Sequence, residues 1–222
     1  MKAMLLAAGR GERMRPLTDT LPKPLLPLGG RPLIAWHLSA LARAGVREVV
    51  INLSWLGEQL RARLGDGAQF GVRIHYSEEG PVPLETGGGI FRALPLLGPE
   101  PFLVVNADIW TDIDFAQLTI TAEALAQLVL VRNPPQHPRG DFALDGPLVV
   151  ERESGRYTYS GVGLYRPELF AGCSDGRFPL LPLLKRAIAA RRLQGQVHTG
   201  VWDDAGTPER LAQLEERLTA LE

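Results

Sequence analysis

The stretch "LLAAGRGERMRPLTDTLPKP" (residues 5–24) decides how the chain is read. It begins inside an all-apolar strand, "AMLLAA" (3–8), and breaks at Gly9 into a long irregular segment. Gly9 and Gly11 permit positive φ and lack a Cβ, so backbone N–H groups there can approach a phosphate closely. Arg13, Arg15 and Lys23 follow, and Pro16, Pro22, Pro24 and Pro27 stiffen the path. A loop this long inside a compact domain is usually functional. An arginine fork and a lysine point charge converging on one spot suit a polyphosphate. Two other phosphate motifs fail on spacing. Lys23 lies too far from Gly11 for a P-loop, and Met14 stands where a dinucleotide fingerprint needs its third glycine.

Outward from this loop, the first half alternates strand and helix patterns. "RPLIAWHLSALARAG" (31–45) is amphipathic at helical period, "VREVVINLS" (46–54) is β-branched, and "LGEQLRARLGDG" (56–67) is a short helix ending at glycine. A strand at 72–79, a helix over 86–97 and a buried strand at 101–110 continue the alternation. Such an order implies a parallel sheet covered on both faces. The second half is less regular. Strands are expected at 126–133 and across 142–170, with turns at Asp145-Gly146 and Ser154-Gly155. A helix over 179–192 and short strands within 195–206 follow. A last helix over 207–222 takes Thr207 as N-cap and Pro208 at N1. The expectation is an α/β, Rossmann-like, mixed and mostly parallel sheet flanked by helices, in one domain over 1–222. Its halves are a regular part (1–110) and a less regular part (111–222).

Composition bounds the function. The 222 residues are 45% hydrophobic and carry a formal net charge of −1, so no whole-protein field favours nucleic acid or an anionic membrane. One cysteine, Cys173, excludes an internal disulfide framework, and the four histidines are scattered without zinc spacing. No apolar run approaches the ~18 residues of a membrane span, and "MKAMLLAAG" (1–9) is too short for a signal core. A cytoplasmic protein is expected. Asp108 ends the apolar run "FLVVNAD" (102–108), where a carboxylate is costly unless exposed or bound to a cation.

The segment "LAAGRGERMRPLTDTLPKPLLPLGGRPLI" (6–34) closely resembles the N-terminal signature of sugar-1-phosphate nucleotidylyltransferases. The resemblance continues in the family's order through "LETGGGI" (84–90), "VVNADIW" (104–110), "YSGVGLY" (159–165) and "WDDAGTPERL" (202–211). It implies attack of a sugar-1-phosphate oxygen on the α-phosphorus of a nucleoside triphosphate, with pyrophosphate leaving. The nucleophile is already an anion, so positioning and electrostatic stabilisation carry the rate. Carried over residue by residue, Arg13 would hold the pyrophosphate end, and Lys23 the α-phosphate and the attacking phosphate. Ala7 and Ala8 would lie under the nucleoside, and amides from Ala8 through Gly9, Gly11 and Glu12 to Arg13 would wrap the phosphates. Glu79 and the main chain near Glu85 and Gly88 would read base and ribose, while Thr86 reads better as a helix N-cap. Asp108 and Asp204 would bind Mg²⁺, and Asp203 would face away; the resemblance thus makes 1–110 the nucleotide-binding half and 111–222 the sugar-binding and second metal-ligand half. Asn106, Gly140, Ser160 and Gly161 would meet the sugar. A Glu-Lys-Pro segment of longer relatives is replaced by "VVERESGRY" (149–157), with Arg152 as the substitute cation.

The short form with Glu-Thr-Gly-Gly-Gly most resembles the branch joining UTP to N-acetylmuramic acid α-1-phosphate in cell-wall recycling. That sugar carries a lactyl carboxylate, for which Arg139 or His137 is the expected partner. Mannose-1-phosphate with GTP, glucose-1-phosphate with UTP or dTTP, and a non-catalytic nucleotide-sugar-binding module are the alternatives. The expected partners are thus small molecules, and the expected assembly a monomer or weak dimer.

Overall fold

The structure is a computed structural model describing residues 1–219. The first half contains β1 (Ala3–Leu6), the two-residue pair β2 (Pro27–Leu28) and β3 (Arg31–Pro32), α1 (Leu33–Arg43), β4 (Glu48–Leu53), α2 (Gly57–Leu64), β5 (Arg73–Glu78), α3 (Glu85–Leu97) and β6 (Phe102–Asn106). There follow β7 (Ile109–Thr111), β8 (Ala126–Val131), β9 (Phe142–Asp145), β10 (Leu148–Val150), β11 (Arg156–Tyr165), α4 (Leu181–Ala189), β12 (Leu193–Val197), β13 (Trp202–Asp204) and α5 (Pro208–Thr219). The final residues of the last expected helix, 220–222, lie outside the described residues. The expected strand at 101–110 divides at Ala107–Asp108, and its second piece leaves the main sheet to pair with β13.

Nine strands form one mixed sheet in the order β5-β4-β1-β6-β11-β8-β12-β10-β9. The β5-β4-β1-β6 part is wholly parallel. Beyond it, β11 runs antiparallel to both β6 and β8, while β12 runs parallel to β8. The later strands therefore extend the same sheet. Side chains alternate between its faces with the period of two that a strand imposes. Leu5, Val49, Ile51, Leu103 and Val105 join Ile34, Leu38 and Leu60 beneath α1 and α2. Met4, Val50 and Val104 join Ile90, Ala93, Leu97 and Leu183 beneath α3 and α4. Helix α5 covers a smaller cluster, in which Leu214 and Leu218 meet Leu28, Leu33 and Ala205.

Strand β1 has β4 on one side and β6 on the other, so chain order reverses there. Loops leaving β1 and its neighbours diverge at their carboxyl ends and open a crevice, the usual ligand position of such sheets. Among the described residues no helix is long and apolar enough to cross a membrane.

Candidate active site

A cavity of about 640 Å³ occupies that crevice. Its lining includes Ala7 through Met14, Lys23, Asn52, Glu79, Glu85, Thr86, Asn106, Asp108 and Gly206. The glycine loop is held by contacts from distant elements. Ala7 N–H donates to Asn52 Oδ1 at 2.7 Å, and Asn52 Nδ2 donates to Glu79 Oε1 at 2.6 Å. Glu79 Oε2 in turn accepts from Leu84 N–H at 2.7 Å, at the entry to α3. Asn52 and Glu79 are both buried, so each needs these partners. Glu79, expected at the site as a reader of base and ribose, has its carboxylate taken up by this bracket. Asn52 escapes the sequence reading, its one signal being an amide near the end of the apolar strand "EVVINL".

Gly11 adopts φ +67, and a Cβ there would stand 3.0 Å from Thr18 Cγ2 and 3.2 Å from Lys23 Cβ. Its carbonyl accepts from Met14 N–H and Thr18 Oγ1, both at 2.8 Å, which closes the loop on itself. Trp55 pins the far side by donating Nε1–H to Thr18 O at 3.1 Å. Gly9 differs: a Cβ there would meet no protein atom within 4 Å. Its freedom from a side chain serves the cavity rather than the packing. Of the basic residues expected here, Arg13 and Lys23 line the cavity, whereas Arg15 turns to Asp19 at 2.6 Å. Arg10 takes the second arginine's place in the lining, its guanidinium 4.6 Å from the Trp55 ring centre.

Lys23 is nearly buried and meets Asp108 Oδ2 through Nζ at 2.5 Å. Asp108 stands just past β6, and β13 brings Asp204 beside it. Asp204 is the register partner of Ile109, and Ala205 N–H donates to Asp108 O at 2.9 Å. The backbone of Asp204 is thus set beside that of Asp108; Lys23, Asp108 and Gly206 line the cavity, and Asp204 stands just outside its lining. Two carboxylates form a donor set that fits one hard divalent cation, which needs few protein oxygens and completes its shell with water and phosphate. Asp203 turns away, as expected, and pairs with Arg217 at 2.9 Å. Burial pushes its carboxyl above the usual range. His37 is buried on the other side of β7, with Nε2 2.7 Å from Ile109 O. Burial lowers its pKa from 6.5 to about 4, so the ring is neutral and Nε2–H donates to that carbonyl.

Several expected contacts are corrected. The glycines of "LETGGG" satisfy packing within α3. A Cβ on Gly87 would lie 2.6 Å from the Phe178 ring, one on Gly88 2.2 Å from Gly176 O, and one on Gly89 2.4 Å from Glu79 Oε1. Gly88 also spends its N–H on Phe178 O at 3.0 Å, so its main chain is not open to a base. Helix α3 begins at Glu85, which places Thr86 inside the first turn and in the cavity lining rather than at the cap. Ser160 is buried at a bulge in β11, donating to Val129 O at 2.7 Å and accepting from Val162 N–H. Gly161, at φ +81, lies against Asn106, whose Nδ2 would sit 2.6 Å from a Cβ. The Ser160–Gly161 turn therefore stands behind Asn106 and does not face a sugar directly.

A second cavity of about 990 Å³ adjoins the first through Glu85 and Thr86, and Gly140 and Tyr159 line it. Arg139 lies outside both linings, and His137 is engaged with Asp141 at 3.0 Å. The cations that do line it are Arg152, Arg156 and Lys185. Lys185 belongs to α4, whose apolar pattern gave no hint of a site.

A glycine loop at the switch point, with a lysine set against a strand-end carboxylate, is an arrangement suited to nucleotidyl transfer. Residues 2–144 match the family model described as "Nucleotidyl transferase", and the chain belongs to that family. It is a sugar-1-phosphate nucleotidyltransferase, and its substrates are small molecules. It is 54% identical to the N-acetylmuramate alpha-1-phosphate uridylyltransferase of Neisseria meningitidis serogroup B, over 97% of this chain and 97% of that protein. The protein of the same name from Caulobacter vibrioides is 39% identical over 97% and 96%. A Bacillus anthracis structure, described as that of a glucose-1-phosphate thymidylyltransferase with sucrose, superposes with TM-score 0.87 at 21% identity. The match covers 98% of this chain and 94% of that one, and it speaks for the fold alone.

Proposed function

We propose that the protein joins UTP and N-acetylmuramic acid α-1-phosphate, with Mg²⁺, to give UDP-N-acetylmuramic acid and pyrophosphate, a reaction suited to the reuse of peptidoglycan sugars. The observation that carries the reading is the meeting of Gly9–Arg13, Lys23 and Asp108 in one cavity. The names of the Neisseria and Caulobacter relatives support the choice of sugar and base.

In this reading the open face of Gly9 admits the triphosphate, and the amides that follow bind its oxygens. Arg13 neutralises the pyrophosphate end. Lys23 exchanges part of its contact with Asp108 for the α-phosphate and the incoming sugar phosphate. Its buried stem and its contact to Asp108 limit where its charge can go, which is how a preorganised cation lowers the barrier. Asp108 and Asp204 would hold the magnesium ion, which would supply charge neutralisation for the two anionic reactants. No general base is required, because the attacking oxygen is already ionised. The second cavity receives the sugar, and Arg152, Arg156 and Lys185 offer positive charge to its carboxylate.

The test is pyrophosphate release over a matrix of four nucleoside triphosphates and several sugar 1-phosphates, with and without Mg²⁺. The expected result is strongest turnover with UTP and N-acetylmuramic acid α-1-phosphate, lost on chelation. Preference for GTP with mannose-1-phosphate, or for glucose-1-phosphate, would replace the specificity and leave the class intact.

A further inference from the structure

We propose that Arg210 and Gln136 are positioning residues for Asp204: together they hold its Oδ1 and leave Oδ2 for the divalent cation, an inference that rests on the metal reading above. Arg210 Nη1 bonds to Asp204 Oδ1, and Gln136 Nε2 donates to the same oxygen at 3.0 Å. Among the described residues no group donates to Oδ2. That oxygen lies 2.9 Å from where a Cβ on Gly206 would stand, and Gly206 lines the first cavity. The two donors thus divide the carboxylate into a held oxygen and an available one.

Three features of the local sequence agree. Thr207 Oγ1 accepts from Arg210 N–H at 3.3 Å, which makes Thr207 the N-cap of α5 and Arg210 its third residue. That position favours Glu or Gln, and a cation there opposes the helix dipole. An arginine that breaks a local rule needs a tertiary reason, and Asp204 supplies one. Side chains on a helix lean toward its N-terminus, so a third-position arginine reaches back to the residues just before the cap. Gly206 also gains a purpose: a Cβ there would come within 2.0 Å of Arg210 Nη2, so any side chain would dislodge the guanidinium. Gln136 comes from the loop after β8, so two separate elements hold the same carboxylate oxygen.

The experiment titrates the nucleotide-free whole enzyme with Mn²⁺, reading free Mn²⁺ by electron paramagnetic resonance, and measures the apparent KM for Mg²⁺ during turnover. Arg210→Ala is expected to raise the Mn²⁺ dissociation constant about tenfold or more, as loss of an outer-shell partner does. Gln136→Ala, in a loop where folding is not at stake, should give a smaller rise in the same direction. Asp204→Asn serves as the reference for lost binding. If Asp204→Asn weakens Mn²⁺ while both other variants bind it as tightly as the parent or more so, the positioning role is overturned and the metal reading stands. If Asp204→Asn itself leaves Mn²⁺ affinity unchanged, both are overturned.

Discussion

The two adjoining cavities are built by different means. The first sits on the parallel half of the sheet, and the largest share of its lining comes from one contiguous segment, Leu6–Met14, joined by Lys23, Asn52 and Asp108. The second sits on the largely antiparallel half and is lined by residues scattered over the start of α3, β9, β10, β11, α4 and the loops between them. Main-chain amides at a fixed turn bind phosphate whatever sugar or base is attached, whereas side chains discriminate. Under the proposed function the first cavity is the reaction centre, and the second is where substrates are distinguished.

Changes that test this contrast differ in size. The largest effect is expected from Lys23→Ala, which removes the buried cation: a fall of about 10²–10³-fold in kcat/KM for every sugar tried. Unequal losses across sugars, seen in pyrophosphate release, would move Lys23 out of the shared centre. Asn52→Ala comes next. It leaves Ala7 N–H and Glu79 without their shared partner, and urea unfolding should show a loss of about 1–3 kcal/mol with a raised KM for UTP. A stability loss with unchanged KM would separate the bracket from the loop it is said to hold.

His37 tests the floor beneath the carboxylates. Its folded pKa of about 4 lies below the ordinary 6.5, so between these values the unfolded chain takes up the proton that the folded chain refuses. Its contribution is complete above pH 6.5 and is lost as pH falls toward 4, the loss amounting to about 2 kcal/mol by pH 5. Against His37→Gln, whose amide can still donate to Ile109 O, the wild type should lose that advantage in urea unfolding between pH 7 and pH 5. Parallel pH profiles would reject the assignment. The smallest effect belongs to the second cavity. Arg152→Ala should lower kcat/KM about tenfold for the carboxylate-bearing sugar and little for N-acetylglucosamine 1-phosphate, with Arg139→Ala nearly silent on both. A larger selective loss from Arg139→Ala would place the sugar's carboxylate at Arg139 instead.

The contrast also explains what could be read in advance. Residues 5–24 were legible because a strand, a glycine turn and stiffening prolines are consecutive, and their geometry depends on φ, ψ and the nearest neighbours. Asp108 was legible as a charge at the end of an apolar strand. The triplet Gly87–Gly89 was misleading because glycine has more than one use: what it avoided was the Phe178 ring, the Gly176 carbonyl and Glu79, none of them near in sequence except the last. Ser160 misled for a related reason, since its hydroxyl is consumed by the bulge that shapes β11.

Local chemistry, then, set the loop, the order of strands and helices, and the cap of α5 at Thr207, because each depends on residues within a few positions of one another. Only the tertiary structure decided that Lys23 meets Asp108, that the backbone of Asp204 is set beside that of Asp108, that Arg10 replaces Arg15, and that Arg210 grips the second carboxylate. Those contacts arise where strands far apart in the chain are hydrogen-bonded side by side, and the distance between two such side chains is fixed by register and packing rather than by anything written next to either residue.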